Sequence, residues 1–293
     1  MEALDASPQR DTRCPVCYGG TVFSGTGQYY TANRRFRTPF GRCPQCDLYI
    51  RLVDPNDLTG HINAASYVQL QNEHKFLSSR HDFFDHLLDI VRRWLAKTTG
   101  QMLVDFGCSY GHLLEQAKLQ GFNTIGIEIA KDVRRSCTER GLAVYESMAE
   151  LPDEYADVVT FIDSLYCLTN PLEALREAAR LLKPSGLVLV RVTNRNWMVK
   201  VRKLVGIRDL TVLGDAVVSY SPLAIRYLLS TAGFSSIRMI GDDATGKRIG
   251  FRRKVFYAGC AAMTKLLPEH RMLTPGVIAM AWKNARVAAQ RRG

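Results

Sequence analysis

Residues 104–111 read VDFGCSYG, and what this stretch can hold decides the fold. An apolar run, QMLVDF, enters it, and HLLEQAKLQ leaves it with apolar residues at helical spacing and good helix formers between them. The stretch is therefore a strand-to-helix turn. In a turn of the form G-x-G-x-x-G the middle glycine lets the backbone approach a pyrophosphate seated on the helix N-terminus. Only Gly107 and Gly111 stand here, with Cys108, Ser109 and Tyr110 between them. Asp105, at the strand end, would repel a pyrophosphate. The turn suits a ligand with a cationic group close by.

S-Adenosylmethionine (SAM) is such a ligand, since it carries an ammonium and a sulfonium and no phosphate. A second acid supports a nucleoside. The apolar run NTIGIEIA carries Glu128 about 20 residues beyond the turn, where a ribose diol is expected to be gripped. A carboxylate accepts hydrogen bonds from both vicinal hydroxyls. Asp105, Gly107, Gly111 and Glu128 thus form one constellation, whereas each alone would read as a tight turn or a solvated strand end.

From Met102 onward strand and helix patterns alternate. The helix after the turn is followed by the strand ending at Glu128, a helix over about 131–140, the strand YADVVTFIDS, the helix EALREAARLL and the strand GLVLVRVTN. Such alternation implies βαβ units and a parallel sheet, whose ligands lie beyond the carboxyl ends of the strands. Asp105, Glu128, Asp163 and Asn194 all fall at such ends. Upstream, SRHDFFDHLLDIVRRWL sets Phe83, Phe84, Leu87, Leu88, Ile90, Val91 and Trp94 along one helical face. His81 and Asp85, four apart on that helix, read as a solvated pair in preference to a metal site.

The eight cysteines include two CPxC pairs, Cys14 with Cys17 and Cys43 with Cys46. Each pair makes a tight turn with two converging thiolates, and two turns complete a closed tetrahedral zinc site, structural because no coordination position stays open. The spacer of about 25 residues exceeds the common 15 to 20, and a longer hairpin, TVFSGTGQYYTANRRFRTPF, absorbs the excess. Arg34, Arg35, Phe36 and Arg37 on it read as charge guarding a strand edge, with a nucleic-acid grip as the alternative. Cys108, Cys137, Cys167 and Cys260 read as small buried residues.

The net charge is +11, and the excess lies from Arg191 onward, with a cluster at Lys247, Arg248, Arg252, Arg253 and Lys254. This balance implies either an anionic partner or a merely soluble surface. No apolar run reaches the roughly 18 to 20 residues of a membrane span, and the N-terminus MEALDASPQR is unlike a signal peptide. A cytoplasmic protein is expected. Peripheral contact at the inner face of the membrane stays open through the basic, partly amphipathic FRRKVFYAGCAAMTKLLPEHR, for which packing on the domain is the preferred reading.

DFGCSYG, then GIEIA, then YADVVTFIDSLYCLTNPLEALREAARLLKPSGLVLVRVTNRNW resembles the class I SAM-dependent methyltransferases, in particular a branch that carries a zinc ribbon before the catalytic domain. The resemblance spans about residues 14–240. It implies an α/β, Rossmann-like sheet of seven mostly parallel strands between helices, the last strands forming an antiparallel edge, with SPLAIRYLLSTAGFSSIRMI as the late helix and strand. The implied division is a zinc ribbon over 1–53, a helical linker or lid over 54–98, the SAM-binding domain over 99–245 and a basic helical extension over 246–293. By the same resemblance Asp105, Gly107 and Gly111 surround the methionine part of SAM, Glu128 the ribose hydroxyls, and Ser147 with Met148 the adenine, with Cys108 and Ile129 also among the cofactor-binding residues. Asp163 and Leu165 lie near the methyl group.

The chain departs from its relatives at two places. Tyr166 and Cys167 stand where many carry a Glu-His pair, and GDAVVSYSP lacks a histidine often found before the late helix. A hydroxyl acceptor needs deprotonation, which leaves Asp163, Tyr166 and Tyr220 as candidate bases, while His112 reads as a packing or capping residue. Three functions follow as expectations. The first is methyl transfer to a small or lipid-linked acceptor, with a sugar or polysaccharide precursor placed first. The second is RNA methylation with the ribbon and basic surface holding RNA, and the third is a SAM-binding protein without catalysis.

Overall fold

The computed structural model describes residues 13–30, 35–52, 80–95, 98–214, 216–242, 251–264, 266 and 272–284. A seven-stranded sheet runs in the order β10-β11-β8-β7-β4-β5-β6. Its members are β4 (Met102–Phe106), β5 (Asn123–Ile127), β6 (Val144–Tyr145), β7 (Ala156–Ile162), β8 (Leu182–Thr193), β10 (Phe234–Asp242) and β11 (Gly276–Lys283). From β6 through β8 every pairing is parallel. The reason is in the sequence: ADVVTFI and LVLV are near-continuous apolar runs, which suit strands covered on both faces.

Helices α1 (His81–Arg92), α2 (His112–Leu119), α3 (Lys131–Glu139), α4 (Pro171–Leu181) and α6 (Pro222–Thr231) cover those faces, while α5 (Asn196–Leu204) packs beside the N-terminal sheet and α7 (Phe251–Thr264) follows β10. Two start signals are explicit. Asn170 caps α4 by accepting from the Glu173 N–H, Ser221 caps α6 by accepting from the Ala224 N–H, and each cap is followed by proline. In α1, Phe83, Leu87, Leu88, Ile90 and Val91 are buried as the periodicity requires. Trp94 stays partly exposed, edge-on to Trp282 with ring centroids 5.6 Å apart and Arg238 over its face. The strand core is packed tightly enough that truncating a residue such as Leu189 to alanine costs about 2–5 kcal/mol.

The far edge departs from the sequence reading, which made 246–293 a helical extension. Segment Gly276–Lys283 is instead β11, antiparallel to β8 on one side and to β10 on the other. The seven-stranded sheet therefore extends to Lys283, and β11 is the reversed strand while the edge strand β10 runs with the rest. Its run GVIAMAWK is buried over its first six residues, a pattern easily taken for a short packed helix. Of the basic cluster after the late strand, Lys247 and Arg248 and the side chains of Arg252, Arg253 and Lys254 lie outside the described residues. No described helix is long and apolar enough to cross a membrane.

A second sheet, β1-β2-β3-β9, carries the N-terminal segment. The hairpin β1 (Val22–Tyr30) and β2 (Arg35–Arg42) pairs with β3 (Tyr49–Arg51), and β3 pairs with β9 (Val218–Ser219), which lies between α5 and α6 of the larger domain. The ribbon and the domain thus share one sheet. In the hairpin's arginine cluster, Arg37 bonds Asp209 at 3.1 Å, while Arg34 and the side chains of Arg35 and Phe36 lie outside the described residues. Because β11 is hydrogen-bonded on both sides, a chain ended at Asp242 is expected to lose cooperative unfolding in a urea titration followed by circular dichroism. A sharp, unshifted transition would show that β11 is dispensable.

Candidate active site and metal centre

The turn after β4 is shaped by close packing as much as by dihedral freedom. Gly107 (φ +74°) and Gly111 (φ +76°) both sit in the left-handed region that favours glycine. A side chain on Gly107 would reach within 2.6 Å of Ser164 Cβ, and one on Gly111 within 2.4 Å of Leu142 Cδ1. Ser164 and Leu142 thus pack against the turn where a side chain would otherwise stand. Cys108 turns inward, buried beside Gly126, which lacks the side chain that would meet its sulfur. Only its backbone faces the turn.

Glu128 is held by the chain itself. Its Oε2 accepts from the Ser109 N–H at 3.0 Å and its Oε1 from the Ala130 N–H at 2.9 Å. Each oxygen keeps a second acceptor direction for a ligand hydroxyl. The carboxylate is therefore aimed before anything binds. Ile129 next to it is 55% exposed, Ser147 is exposed and accepts from the Ala149 N–H, and Met148 is buried in the core. Of the two residues expected at adenine, only Ser147 has its side chain at the surface.

Asp105 lies beneath the turn, 4% exposed, and accepts from Thr160 Oγ1 at 2.6 Å across the β4–β7 pairing. Burial pushes its carboxyl up to about 7, opposed by the Thr160 hydrogen bond and by Arg80 and reinforced by Glu128. A cation brought to this carboxylate would pull it down again. Two further polar atoms in this part of the fold, Ser164 Oγ and His112 Nε2, are buried without a hydrogen-bond partner. His112 opens α2 with Nδ1 3.5 Å from Glu115, and burial lowers its pKa. Orphaned buried atoms beside a strained turn fit a site that receives a polar ligand.

Asp163, at φ +53°, ends β7 in a conformation that costs a non-glycine residue about 1 kcal/mol or more. Both its oxygens are committed. Oδ2 accepts from Arg80 at 2.7 Å and Oδ1 from Arg191, whose Nε also binds Asp242 at 2.8 Å. Arg80 and Arg191 each stand 5.0 Å from the Phe83 ring centroid, so α1 is fixed over this end of the sheet. With both oxygens paired to guanidinium groups, Asp163 leaves the set of uncommitted candidate bases. Tyr220 leaves too: it is 1% exposed, donates to the Leu165 carbonyl at 3.3 Å, and burial drives its hydroxyl well above its ordinary pKa. Tyr166 is partly exposed, and its carbonyl accepts from the Val217 N–H. Leu165 is fully buried. Asn194 anchors the approach to β11, donating to the Met272 and Thr274 carbonyls.

The sequence reading missed Arg80, Thr160, Arg191 and Asp242. Thr160 and Arg191 are polar residues inside otherwise apolar strands, the one signal that marked them.

The four cysteines meet in two matching knuckles. The N–H of Cys14 donates to the Gly19 carbonyl and that of Tyr18 to the Cys14 carbonyl; Cys43, Leu48 and Asp47 repeat both bonds. Tyr18 (φ +58°) and Asp47 (φ +57°) take the same left-handed step. Sulfurs lie 3.5 Å apart for Cys14 and Cys46, 3.4 Å for Cys17 and Cys43, and all four fall within 4.8 Å of one another. Zn–S bonds of about 2.3 Å in a tetrahedron place sulfurs close to 3.8 Å apart, so the donor set fits a tetrathiolate metal. The sulfurs' mutual contact lowers Cys14 to about 5 and raises Cys46, and burial lifts Cys17 to about 11. Held as four thiolates, sulfurs this close would call for a shared cation. Among the described residues no other group offers a metal three such ligands.

A seven-stranded sheet with one reversed strand and a glycine turn after β4, third from the β6 edge, fits the class I, SAM-dependent methyltransferase. Comparison with known proteins agrees. Residues 79–238 match the family described as "Methyltransferase domain". The ubiquinone biosynthesis O-methyltransferase of Photobacterium profundum is 28% identical, and that of Aliivibrio fischeri 30% identical, each over 54% of this chain and 71% of its own. A Thermotoga maritima structure described as a SAM-dependent methyltransferase, possible histamine N-methyltransferase, aligns with a TM-score of 0.51 at 17% identity, covering 73% of this chain and 96% of its own. The chain belongs to the methyltransferase-domain family and is a SAM-dependent methyltransferase.

Two predictions follow from this geometry. Purified protein is expected to carry zinc at about one equivalent. Cys46→Ser or a strong chelator should strip it and speed amide exchange across the ribbon and at β9; finding no metal and unchanged exchange would refute the centre. The second concerns Asp105, whose folded pKa of about 7 exceeds its unfolded value near 3.8. Its contribution is then fully present below the unfolded value and is lost as pH rises through about 7. Between pH 5 and 8, Asp105→Asn should gain on the order of 2 kcal/mol relative to the parent chain in urea unfolding. A pH-independent difference would contradict the shift.

Proposed function

We propose that the enzyme transfers the methyl group of SAM to a hydroxyl of a small-molecule acceptor. The observation that carries this is the Glu128 carboxylate, pinned by the Ser109 and Ala130 amides beside the glycine turn and joined to a family match whose relatives are O-methyltransferases by name. In this reading Glu128 takes the ribose hydroxyls, Ile129 and Ser147 flank the base, and Asp105 receives the ammonium, with the Gly107–Gly111 turn around the methionine part. Arg80 offers its guanidinium to the methionine carboxylate while bonded to Asp163, which acts as a positioning residue.

SAM supplies an already activated methyl on sulfur, so the chain's task is alignment, worth roughly 7–11 kcal/mol in well-oriented reactions. Of the three candidates named from sequence, Tyr166 is the partly exposed tyrosine, and as its phenolate it would take the acceptor proton. The narrower expectation of a sugar or polysaccharide precursor finds no support in the relatives' names, which give ubiquinone biosynthesis. The basic surface favours an acceptor bearing negative charge. RNA methylation and a catalytically silent SAM-binding protein both lack a supporting contact of their own.

Incubation with methyl-labelled SAM, a polyprenyl phenol or a nucleotide sugar, and separation of the products should recover label as an alkali-stable methyl ether. Glu128→Ala should weaken SAM binding at least about tenfold, about one 1.4 kcal/mol step, with thermal unfolding checked in parallel. Label on nitrogen or carbon, label in RNA alone, or unchanged SAM affinity in a folded Glu128→Ala would overturn the assignment.

A further inference from the structure

The C-terminal end of α5 presents apolar side chains on a rigid frame. Residues 199–208 read VKVRKLVGIR, with four bases and no acid. Leu204 is 86% exposed, Val205 69% and Ile207 41%. This is not a frayed helix end. The Gly206 N–H donates to the Lys203 carbonyl at 3.1 Å, the Ile207 N–H to the Arg202 carbonyl at 2.9 Å, and Gly206 has φ +80°. These are the two bonds and the left-handed residue of a Schellman cap.

The tip is also tied to the ribbon hairpin. Lys203 Nζ bonds Ser24 Oγ at 2.9 Å, and the Leu210 N–H donates to the Thr26 carbonyl at 2.9 Å. Phe23, next to Ser24, is 61% exposed. The nearby acids are already matched: Asp209 by Arg37, and Asp47 by Arg42 and Lys200. Consecutive aliphatic side chains held in solvent by a closed cap, with Lys203 and Arg208 on either side, call for a partner that is apolar within and anionic at its face.

We propose that this tip is a contact surface for an anionic lipid bilayer. Leu204, Val205 and Ile207 enter the headgroup region, and Lys203 and Arg208 meet lipid phosphates. A polyanion such as RNA would satisfy the bases but leave the aliphatic side chains without a partner. The helix starts three residues after β8 ends, at the carboxyl edge of the sheet, and its nine residues carry the tip about 13 Å along its axis. The proposal does not depend on the acceptor's identity.

The test is co-sedimentation of the full-length protein with phosphatidylcholine vesicles, with and without phosphatidylglycerol. Binding is expected on the mixed vesicles and not on phosphatidylcholine alone. Each base near such a surface strengthens binding about fivefold, so Lys203→Glu with Arg208→Glu should lower it more than tenfold. Leu204→Ser with Val205→Ser should also lower it by about tenfold or more. SAM affinity and thermal unfolding should stay unchanged in both variants. In Leu204→Trp, the new indole's emission should move to the blue on mixed vesicles. Absence of vesicle binding, or binding that the charge variant weakens and the aliphatic variant does not, would overturn the proposal, the latter result pointing to a polyanion instead.

Discussion

A buried arginine organises the catalytic end of the molecule. Arg191 sits in the middle of a sheet whose neighbouring positions are aliphatic, and its desolvation is tolerable only because Asp163 and Asp242 meet it on two sides. That pairing joins the end of β7 to the end of β10, strands separated in the sheet by β8 and β11. Arg80 extends the chain of alternating charges to the start of α1. Loss of one member would strand an uncompensated charge in the interior, a defect of several kcal/mol. The geometry of the site and the closure of the sheet thus rest on one set of ion pairs.

The same pairing reassigns chemistry. A strand-end aspartate in a strained conformation looks like a proton acceptor when read alone, yet two guanidinium groups take both of its oxygens. Its left-handed backbone is held by the Asp163 N–H to the Arg191 carbonyl, so side chain and main chain answer to the same residue. The ribbon is bound in as firmly. Ser221, which caps α6, donates to the Cys46 carbonyl, and Asn196 at the start of α5 donates to the Asp47 carbonyl and bonds Ser219. A cysteine knuckle that shares hydrogen bonds with two catalytic-domain helices behaves as part of that domain.

How much of this was legible from sequence depended on the range of the interaction. The strand-to-helix turn, the parallel core and the paired cysteines announce themselves within a few residues, through periodicity, glycine placement and fixed spacing. Glu128 was legible because it follows its strand directly. The two-residue strand β9 was not, since its pairing with β3 arises from a meeting of segments about 170 residues apart and leaves no local pattern. The ion pairs of Arg80, Arg191 and Asp242 have no period at all. The surroundings of Tyr220 and Asp163 were hidden for a related reason: residue type and strand-end position were visible, but burial and partners were not.

The place of β11 also has a consequence for how the chain comes together. Its two neighbours, β8 and β10, are both synthesised before it, and Gly276 pairs with Thr193 more than 80 residues upstream. Until β11 arrives, β8 and β10 each present an open edge of unpaired amides, the kind of edge that recruits other chains. Closing so long a loop is slow relative to local helix and hairpin formation. On the ribosome, the nascent enzyme therefore passes through an interval in which its half-built sheet is adhesive, and chaperone protection matters most just before residues 276–283 emerge.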